Sequence, residues 1–342
     1  MKTVLSLDET REILAQWGLE PLASAPVRAA LRVETEGGVF ALKASTKAPE
    51  RLQLLAEAFA SLAGRGFHRM APYLPTLLGE PYVEYESRLW TVSPWREGRE
   101  PEYGAPGEIA RCAATLAAFH RAGLGFSPAR GAQRTTLGKW PEKLAGRTGE
   151  LRSFFETARL SPTPTPFELA LREYGPVFLE QAEAAEEGLR RSAFAARCAW
   201  AAKARPLAHG DASNRNFILG TDGEAYLLDL DDLKRELPEI DLCRLLRRTL
   251  RRVDWDFALG REVLSAYLSE FPLGNIELAI LRSLLGYPDK AWRLCKEHYE
   301  REDGKSPRRT RKLAQKLAAS GADVPRHDRF LKKLDEFYGT CW

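Results

Sequence analysis

The sequence predicts an α+β chain in two parts, a small antiparallel sheet with one helix followed by a larger, mainly helical region. Three observations predict it. Strand-like runs near the N-terminus end in Lys43, and amphipathic helical stripes begin after a Pro- and Gly-bounded linker near Trp95. The run His209-Gly210-Asp211-Ala212-Ser213-Asn214-Arg215-Asn216 is then followed, after a short hairpin, by Leu228-Asp229-Leu230-Asp231. With 342 residues and 44% hydrophobic content, the chain can bury cores for about two domains. The expected division is residues 1–94 and 95–342.

In the first part, Leu31 to Thr35 and Val39 to Lys43 read as two strands around Glu36-Gly37-Gly38. Strand alternation puts Val39, Ala41 and Lys43 on one face, where a small residue can cover an adenine ring while the ammonium reaches its phosphates. Ala41-Leu42-Lys43 matches the end of the kinase strand signature VAIK. Leu52, Leu55, Ala56, Phe59 and Ala63 follow helical spacing, and Glu57 beside that stripe is the expected partner of Lys43. Glu50 competes for that role, but after Pro49 at a helix start the helix dipole alone explains a carboxylate.

The linker Val92 to Gly98 ends an aromatic-rich strand. Ile109, Cys112, Ala113, Leu116 and Phe119 then form the stripe of the first helix of the helical part. His120 at its end has no base or nucleophile motif beside it and reads as structural. Ser161 to Pro166, with three prolines, can be neither helix nor central strand and connects two helices.

The His209 run spells a phosphoryl-transfer site. In such a site an Asp accepts the proton of an attacking hydroxyl, and an Asn five residues later and a further Asp hold Mg²⁺ against the ATP phosphates. Asp222-Gly223, between Phe217-Ile218-Leu219 and Tyr226-Leu227-Leu228, reads as a two-residue type I′ turn. That register pairs Thr221 with Glu224 and sets Asn216 opposite Asp229, about 5 Å apart, as two ligands of one cation require. Alternation would also place Asp229 and Asp231 on one face, with Leu228 and Leu230 toward the core.

Strand lysine, helix glutamate, HGDxxxxN and DxD in this order resemble the aminoglycoside phosphotransferase and choline kinase superfamily, with its two-lobed protein-kinase-like fold. Val33-Glu34-Thr35, Phe40 to Lys43, Leu116 to Arg121, Leu137 to Pro141, Leu237 to Leu242 and Tyr287-Pro288 further resemble the CotS-like spore coat proteins. The resemblance implies Asp211 as catalytic base, Asn216 and Asp229 as metal ligands, and Lys43 as the phosphate lysine, with ATP and Mg²⁺ as cofactors. His209 and Asp241 would brace the catalytic loop, with Asp231 in support. Two features depart from a protein kinase. Ala23 to Ala30 contains no glycine where a kinase's first turn lets backbone amides approach phosphates, and about a dozen residues between Asp229 and Asp241 leave no room for an activation segment. A protein substrate is not expected.

The net charge of +4 selects no partner. Cys112, Cys198, Cys243, Cys295 and Cys341 show no CxxC spacing, so neither a zinc site nor a disulfide framework is indicated. The stretch Met1 to Leu7 is too short for a signal peptide and no apolar run reaches membrane-spanning length, so cytoplasmic synthesis, with possible residence in the spore coat implied by the resemblance, is the expectation. Arg244, Arg247, Arg248, Arg251 and Arg252 lie at helical spacing among leucines and read as a solvated helix face. Lys305, Arg308, Arg309, Arg311 and Lys312 form a second cluster suited to an anionic partner. Neither cluster outweighs the phosphoryl-transfer residues, and nucleic acid is not an expected partner. The expected activity is ATP-dependent phosphorylation of a hydroxyl on a small molecule or sugar. The alternatives are a weakly active or inactive kinase scaffold in spore-coat assembly, with a coat-protein partner, and a basic binding module with a relic site.

Overall fold

The computed structural model describes residues 5–129, 133–301 and 306–339; Lys305 and Cys341 lie outside them. Two compact units emerge. The first takes residues 1–135, 204–235 and 266–271, and the second residues 136–203, 236–265 and 272–342.

The first unit is organised by a five-stranded antiparallel sheet. Its strands β1 (Pro21–Val27), β2 (Ala30–Thr35), β3 (Gly38–Ser45), β4 (Val83–Tyr85) and β5 (Arg88–Pro94) run in the order β1-β2-β3-β5-β4. Period-two alternation buries Leu31, Val33, Leu42, Trp90 and Val92 on one face. Helix α1 (Leu7–Leu14) covers that face with Ile13 and Leu14. It starts at a capping box in which the Ser6 hydroxyl accepts from the Glu9 amide and the Glu9 carboxylate accepts from the Ser6 amide. Ala41 and Lys43 are left on the opposite face. Helix α2 (Pro49–Gly64) buries the expected Leu52, Leu55 and Phe59, and Arg51 with them.

After β6 (Gly98–Arg99), α3 (Glu108–Ala122) buries the predicted stripe. His120 at its end is fully buried, its Nδ1 2.6 Å from the Tyr267 hydroxyl, as a packing histidine. Strands β7 (Leu207–Ala208), β8 (Phe217–Gly220), β9 (Ala225–Leu227) and β10 (Lys234–Arg235) make two small antiparallel sheets, β6-β8-β9 and β10-β7. Ala208 pairs with Lys234, which brings the chain entering the His209 loop beside the chain leaving the DxD turn.

The second unit is helical. It contains α4 (Trp140–Leu160), α5 (Pro166–Arg191), most of α6 (Phe194–Ala204), α7 (Pro238–Leu250), the first part of α8 (Phe257–Glu270), α9 (Asn275–Gly286), α10 (Asp289–Glu300), α11 (Pro307–Ala322) and α12 (Val324–Tyr338). The proline-rich connector lies between α4 and α5, and the Thr165–Glu168 capping box starts α5. Two segments that suggested the spore-coat resemblance meet here, because the Trp140 indole donates to Glu236 beside Leu237 and Pro238 (3.1 Å). His298 stacks on Phe167 with centroids 4.2 Å apart, and Tyr299 stacks on Phe154, so this aromatic group is packing. Arg147 (3.0 Å), Arg293 and Arg247 (3.9 Å) surround the buried Asp289.

Burial alone would raise the Asp289 carboxyl, but the three guanidinium groups outweigh it and hold it below the ordinary value of 3.8. A depressed folded-state value contributes stability that is present above pH 3.8 and lost as pH falls through the lowered value. Asp289→Asn is therefore expected to lose about 2 kcal/mol at neutral pH, as charged hydrogen bonds of this kind contribute. In urea titrations across the acid range, the variant should lose less stability on acidification than the wild type.

Candidate active site

All but one of the expected site residues lie in the first unit. Lys43 leaves the open face of β3 and its ammonium sits between two carboxylates, 2.9 Å from Asp229 Oδ1 and 3.0 Å from Asp231 Oδ2. Burial disfavours the Lys43 charge, yet Asp231 and Asp229 outweigh it and raise the ammonium above its ordinary value. The same balance, reversed in sign, lowers Asp231. The second oxygen of Asp231 accepts from the Tyr73 hydroxyl (3.0 Å), whose own ionisation is pushed up by burial and by that carboxylate.

Glu57 does not join this group. Its carboxylate accepts the Ala129 amide (2.7 Å), and the ammonium it was expected to orient is held by the two aspartates instead. The α2 residue that reaches the DxD turn is Arg51, which donates to the carbonyls of Asp231 (3.0 Å) and Leu233. Its Nε and the other terminal nitrogen are buried without a partner, and burial followed by the nearby Arg134 lowers its basicity. A charged residue on an otherwise apolar helix stripe was the signal available in the sequence.

The hairpin register differs from the expected one. Phe217 pairs with Leu227 and Leu219 with Ala225, so Asn216 lies opposite Leu228, whose amide donates to the Asn216 carbonyl (2.8 Å). The loop has three residues, Thr221 to Gly223, with Gly220 and Glu224 closing it. Only Gly223 takes positive φ (+81°), whereas a type I′ turn requires it at Asp222 as well. Asp222 caps the bend by accepting the Glu224 amide (3.0 Å) and the Tyr226 hydroxyl (2.6 Å). Asp229 consequently falls beyond the strand, in the left-handed region at φ 57° and ψ 61°, and opens a single 3₁₀ turn, Leu230–Asp232. The turn, rather than strand alternation, aims Asp229 and Asp231 at Lys43 while Leu230 is buried. Leu228 is only half-buried and faces a cleft.

The His209 loop is held against this turn. Nε2 of the fully buried His209 donates to the Leu228 carbonyl (2.8 Å), and Nδ1 accepts the Asp211 amide (3.2 Å), which fixes the neutral tautomer with its proton on Nε2. The Asn216 amide nitrogen donates to the Asp211 carbonyl (2.7 Å) and to its carboxylate (3.3 Å), so Oδ1 is the amide's acceptor atom. The remaining expected residue, Asp241, is buried in the first turn of α7 in the second unit.

Beside these polar groups lies a cleft of ≈ 420 Å³. Val27, Ala30 and Ala41 from the sheet and Ile218 and Leu228 from the hairpin give it apolar walls. The linker Ser93 to Gly98 forms another side, where the Trp95 amide donates to Val39 (2.9 Å). The glycine-free segment is strand β1 with the turn Arg28-Ala29. Arg28, at φ 55°, pairs with Glu100 and donates to the Arg215 carbonyl (3.2 Å), strapping the turn across the cleft mouth. The slot is apolar along its walls and ends in a lysine, an amide oxygen and two carboxylates, a polar end that can meet an anion only through the ammonium or a bridging cation.

Residues 20–274 match the family described as Phosphotransferase enzyme family. The chain belongs to that family. The phosphotransferase is similar to an aminoglycoside phosphotransferase from Alicyclobacillus acidocaldarius, with a TM-score of 0.87 at 19% identity over 100% of this chain and 98% of the other. It also resembles the AMP-bound spectinomycin phosphotransferase APH(9)-Ia (TM-score 0.63, 13% identity, 94% and 97% covered). A third similar structure is amicoumacin kinase hAmiN in complex with AMP-PNP and Ca²⁺ (TM-score 0.52, 14% identity, 93% and 88% covered). At these identities the likeness establishes the kinase-like fold. No helix among the described residues is long and apolar enough to cross a membrane.

Among the described residues, no group of three or more His, Cys, Asp or Glu side chains is arranged to hold a metal. The oxygen set of Asn216 with Asp229, and Asp231 nearby, is nevertheless of the hard kind that Mg²⁺ takes when phosphates and waters complete its shell. That donor chemistry fits Mg²⁺ and does not fit a thiolate- or imidazole-bound metal.

Gly210 has φ +86°, and a Cβ there would lie 2.4 Å from the Asp232 carbonyl oxygen, whereas Gly223 at φ +81° has nothing within 4 Å. Alanine at Gly223 is therefore expected to cost about 1 kcal/mol from backbone conformation alone. Alanine at Gly210 should cost about 3 kcal/mol or more, because the loop must also part from the turn. Urea unfolding of the two variants measures the difference.

Proposed function

We propose that the chain is an ATP- and Mg²⁺-dependent phosphotransferase that phosphorylates a hydroxyl of a small molecule or sugar. The observation that carries this reading is a pair of direct contacts, Asp211 with Asn216 and Lys43 with Asp229; of these residues Lys43, Asn216 and Asp229 line the cleft. The nucleotide-bound state of the similar spectinomycin and amicoumacin phosphotransferases supports the same reading.

In this mechanism Ala41 and Leu228 would hold the adenine of ATP and Lys43 its phosphates. Mg²⁺ held by Asn216 Oδ1 and Asp229 would neutralise charge on the phosphate oxygens as the phosphoryl group moves. Lys43 exchanges its carboxylate partners for phosphate oxygens, since ammonium and metal compete for Asp229. Asp211, fixed by His209 through its amide and by Asn216 through its side chain, accepts the proton of the acceptor hydroxyl. Phosphoryl transfer needs positioning and charge neutralisation more than covalent chemistry, so this short set suffices. Arg28 takes over at the cleft mouth where a glycine-rich turn would offer amides. Spore-coat association is proposed on the resembling segments, one of which, through Trp140, hydrogen-bonds Glu236, the residue before another. On that alternative the same fold serves as a coat-assembly scaffold with little turnover.

Thermal unfolding with ATP, with and without Mg²⁺, separates the readings. A ligand at about a hundred times its dissociation constant stabilises by about 2.7 kcal/mol, so the wild type should show a clear Mg²⁺-dependent rise in Tm that Asp229→Ala loses. No rise at millimolar ATP would favour the scaffold. Once an acceptor is found, Asp211→Asn should keep the ATP-induced rise but lower turnover by about 10²–10⁴-fold, and equal turnover would remove Asp211 from the base role.

A further inference from the structure

A second cavity, ≈ 50 Å³, lies within the helical unit, where the C-terminal end of α7 meets the starts of α10 and α12. Arg247, Arg251 and Lys290 line it together with Asp289, Asp323 and His327. Asp289 is shared among Arg147, Arg293 and Arg247 (3.9 Å), and Asp323 pairs with Arg326 (3.2 Å), so the two carboxylates leave the cations around the cavity in excess. Among the described residues, the side chains of Arg251 and Lys290 form no ion pair, and Arg247 Nε is buried without a hydrogen-bond partner. His327 adds no charge. Burial, and then Arg247, push its pKa down to about 3, and its Nε2 donates to the Leu285 carbonyl (3.1 Å).

Cations are thus gathered and half-buried against one another. Burial and the repulsion of Arg247 and Arg293 bring Arg251 down to about 10, and burial with Arg251 beside it lowers Lys290. The starts of α10 and α12 reach the same wall as the C-terminal end of α7, so the helix dipoles there are of both signs and the side-chain cations dominate. Such an arrangement is unfavourable unless an anion completes it. A water needs about 10–15 Å³ of cavity, so the space holds roughly four oxygen atoms, the size of a tetrahedral oxyanion.

We propose that this cavity is a binding site for a phosphate group, as inorganic phosphate or as the head of a compact phosphate ester, with Arg247, Arg251 and Lys290 as its donors. The site is independent of the nucleotide cleft and of the function proposed for it.

The test compares Tm in potassium phosphate and in potassium chloride at matched ionic strength, for the wild type, for Arg251→Gln with Lys290→Gln, and for Lys43→Ala. Phosphate should raise the Tm of the wild type and of Lys43→Ala by more than the general stabilisation it gives the double variant. In chloride the double variant should be at least as stable as the wild type, because two repelling cations are gone, so its smaller response will not reflect unfolding. Adding glycerol 3-phosphate distinguishes the sources: a response at least as large as that to phosphate assigns an ester, and a response to phosphate alone assigns the free anion. An equal phosphate response in the double variant, a response lost in Lys43→Ala instead, or no gain over chloride would each overturn the proposal.

Discussion

The first unit depends on one electrostatic arrangement, the Lys43 ammonium between Asp229 and Asp231. Two carboxylates aimed at the same point repel, and the turn that aims them contains a left-handed aspartate, a conformation that costs about 1–3 kcal/mol outside glycine. The ammonium offsets both costs. Asp229 remains half exposed, with 49% of its side-chain surface accessible, so the pair is screened by water and contributes modestly to stability. Its value lies in position. It ties β3 to the hairpin, and the neighbouring contacts of Arg51, Lys47 and Tyr73 with the same turn follow from that placement.

The turn is in turn backed by the His209 loop. Neutral His209 spends one ring nitrogen on Leu228 and the other on the Asp211 amide, so a single buried side chain sets the spacing between the loop and the DxD segment. Gly210 allows the close approach to Asp232 that this spacing requires. Asp211 and Asn216 are then fixed relative to each other, by the Asp211 amide on His209 and by the Asn216 amide on the Asp211 carbonyl and carboxylate.

Much of this was legible because the residues involved are chemically unambiguous. A lysine on an alternating strand, a His-Gly-Asp run and a DxD after a hairpin each carry a spacing that few other structures need. Where the reading failed, two local solutions satisfied the same residues. Asp222-Gly223 fits a two-residue turn, but Gly220 and the capping carboxylate of Asp222 favour a three-residue loop, and the difference of one residue moved Asp229 off the strand. Glu57 lies beside the correct helix stripe, yet the Ala129 amide, far away in sequence, claims it. Arg51 was passed over because a buried arginine is uncommon, and its acceptors are backbone carbonyls that no side-chain pattern reveals.

The glycine-free turn shows how this fold can keep its chemistry while changing its contacts. A glycine-rich turn meets phosphates through backbone amides, which need close approach and a flexible backbone. Here the turn is tight, with Val27 paired to Ala30, and Arg28 projects from its tip to Glu100 and the Arg215 carbonyl. Those partners already hold the turn over the cleft, so closure is supplied by a side-chain strap. One terminal nitrogen of the Arg28 guanidinium pairs with Glu100 and the other donates to the Arg215 carbonyl, so a single side chain holds the turn beside the cleft by two independent contacts.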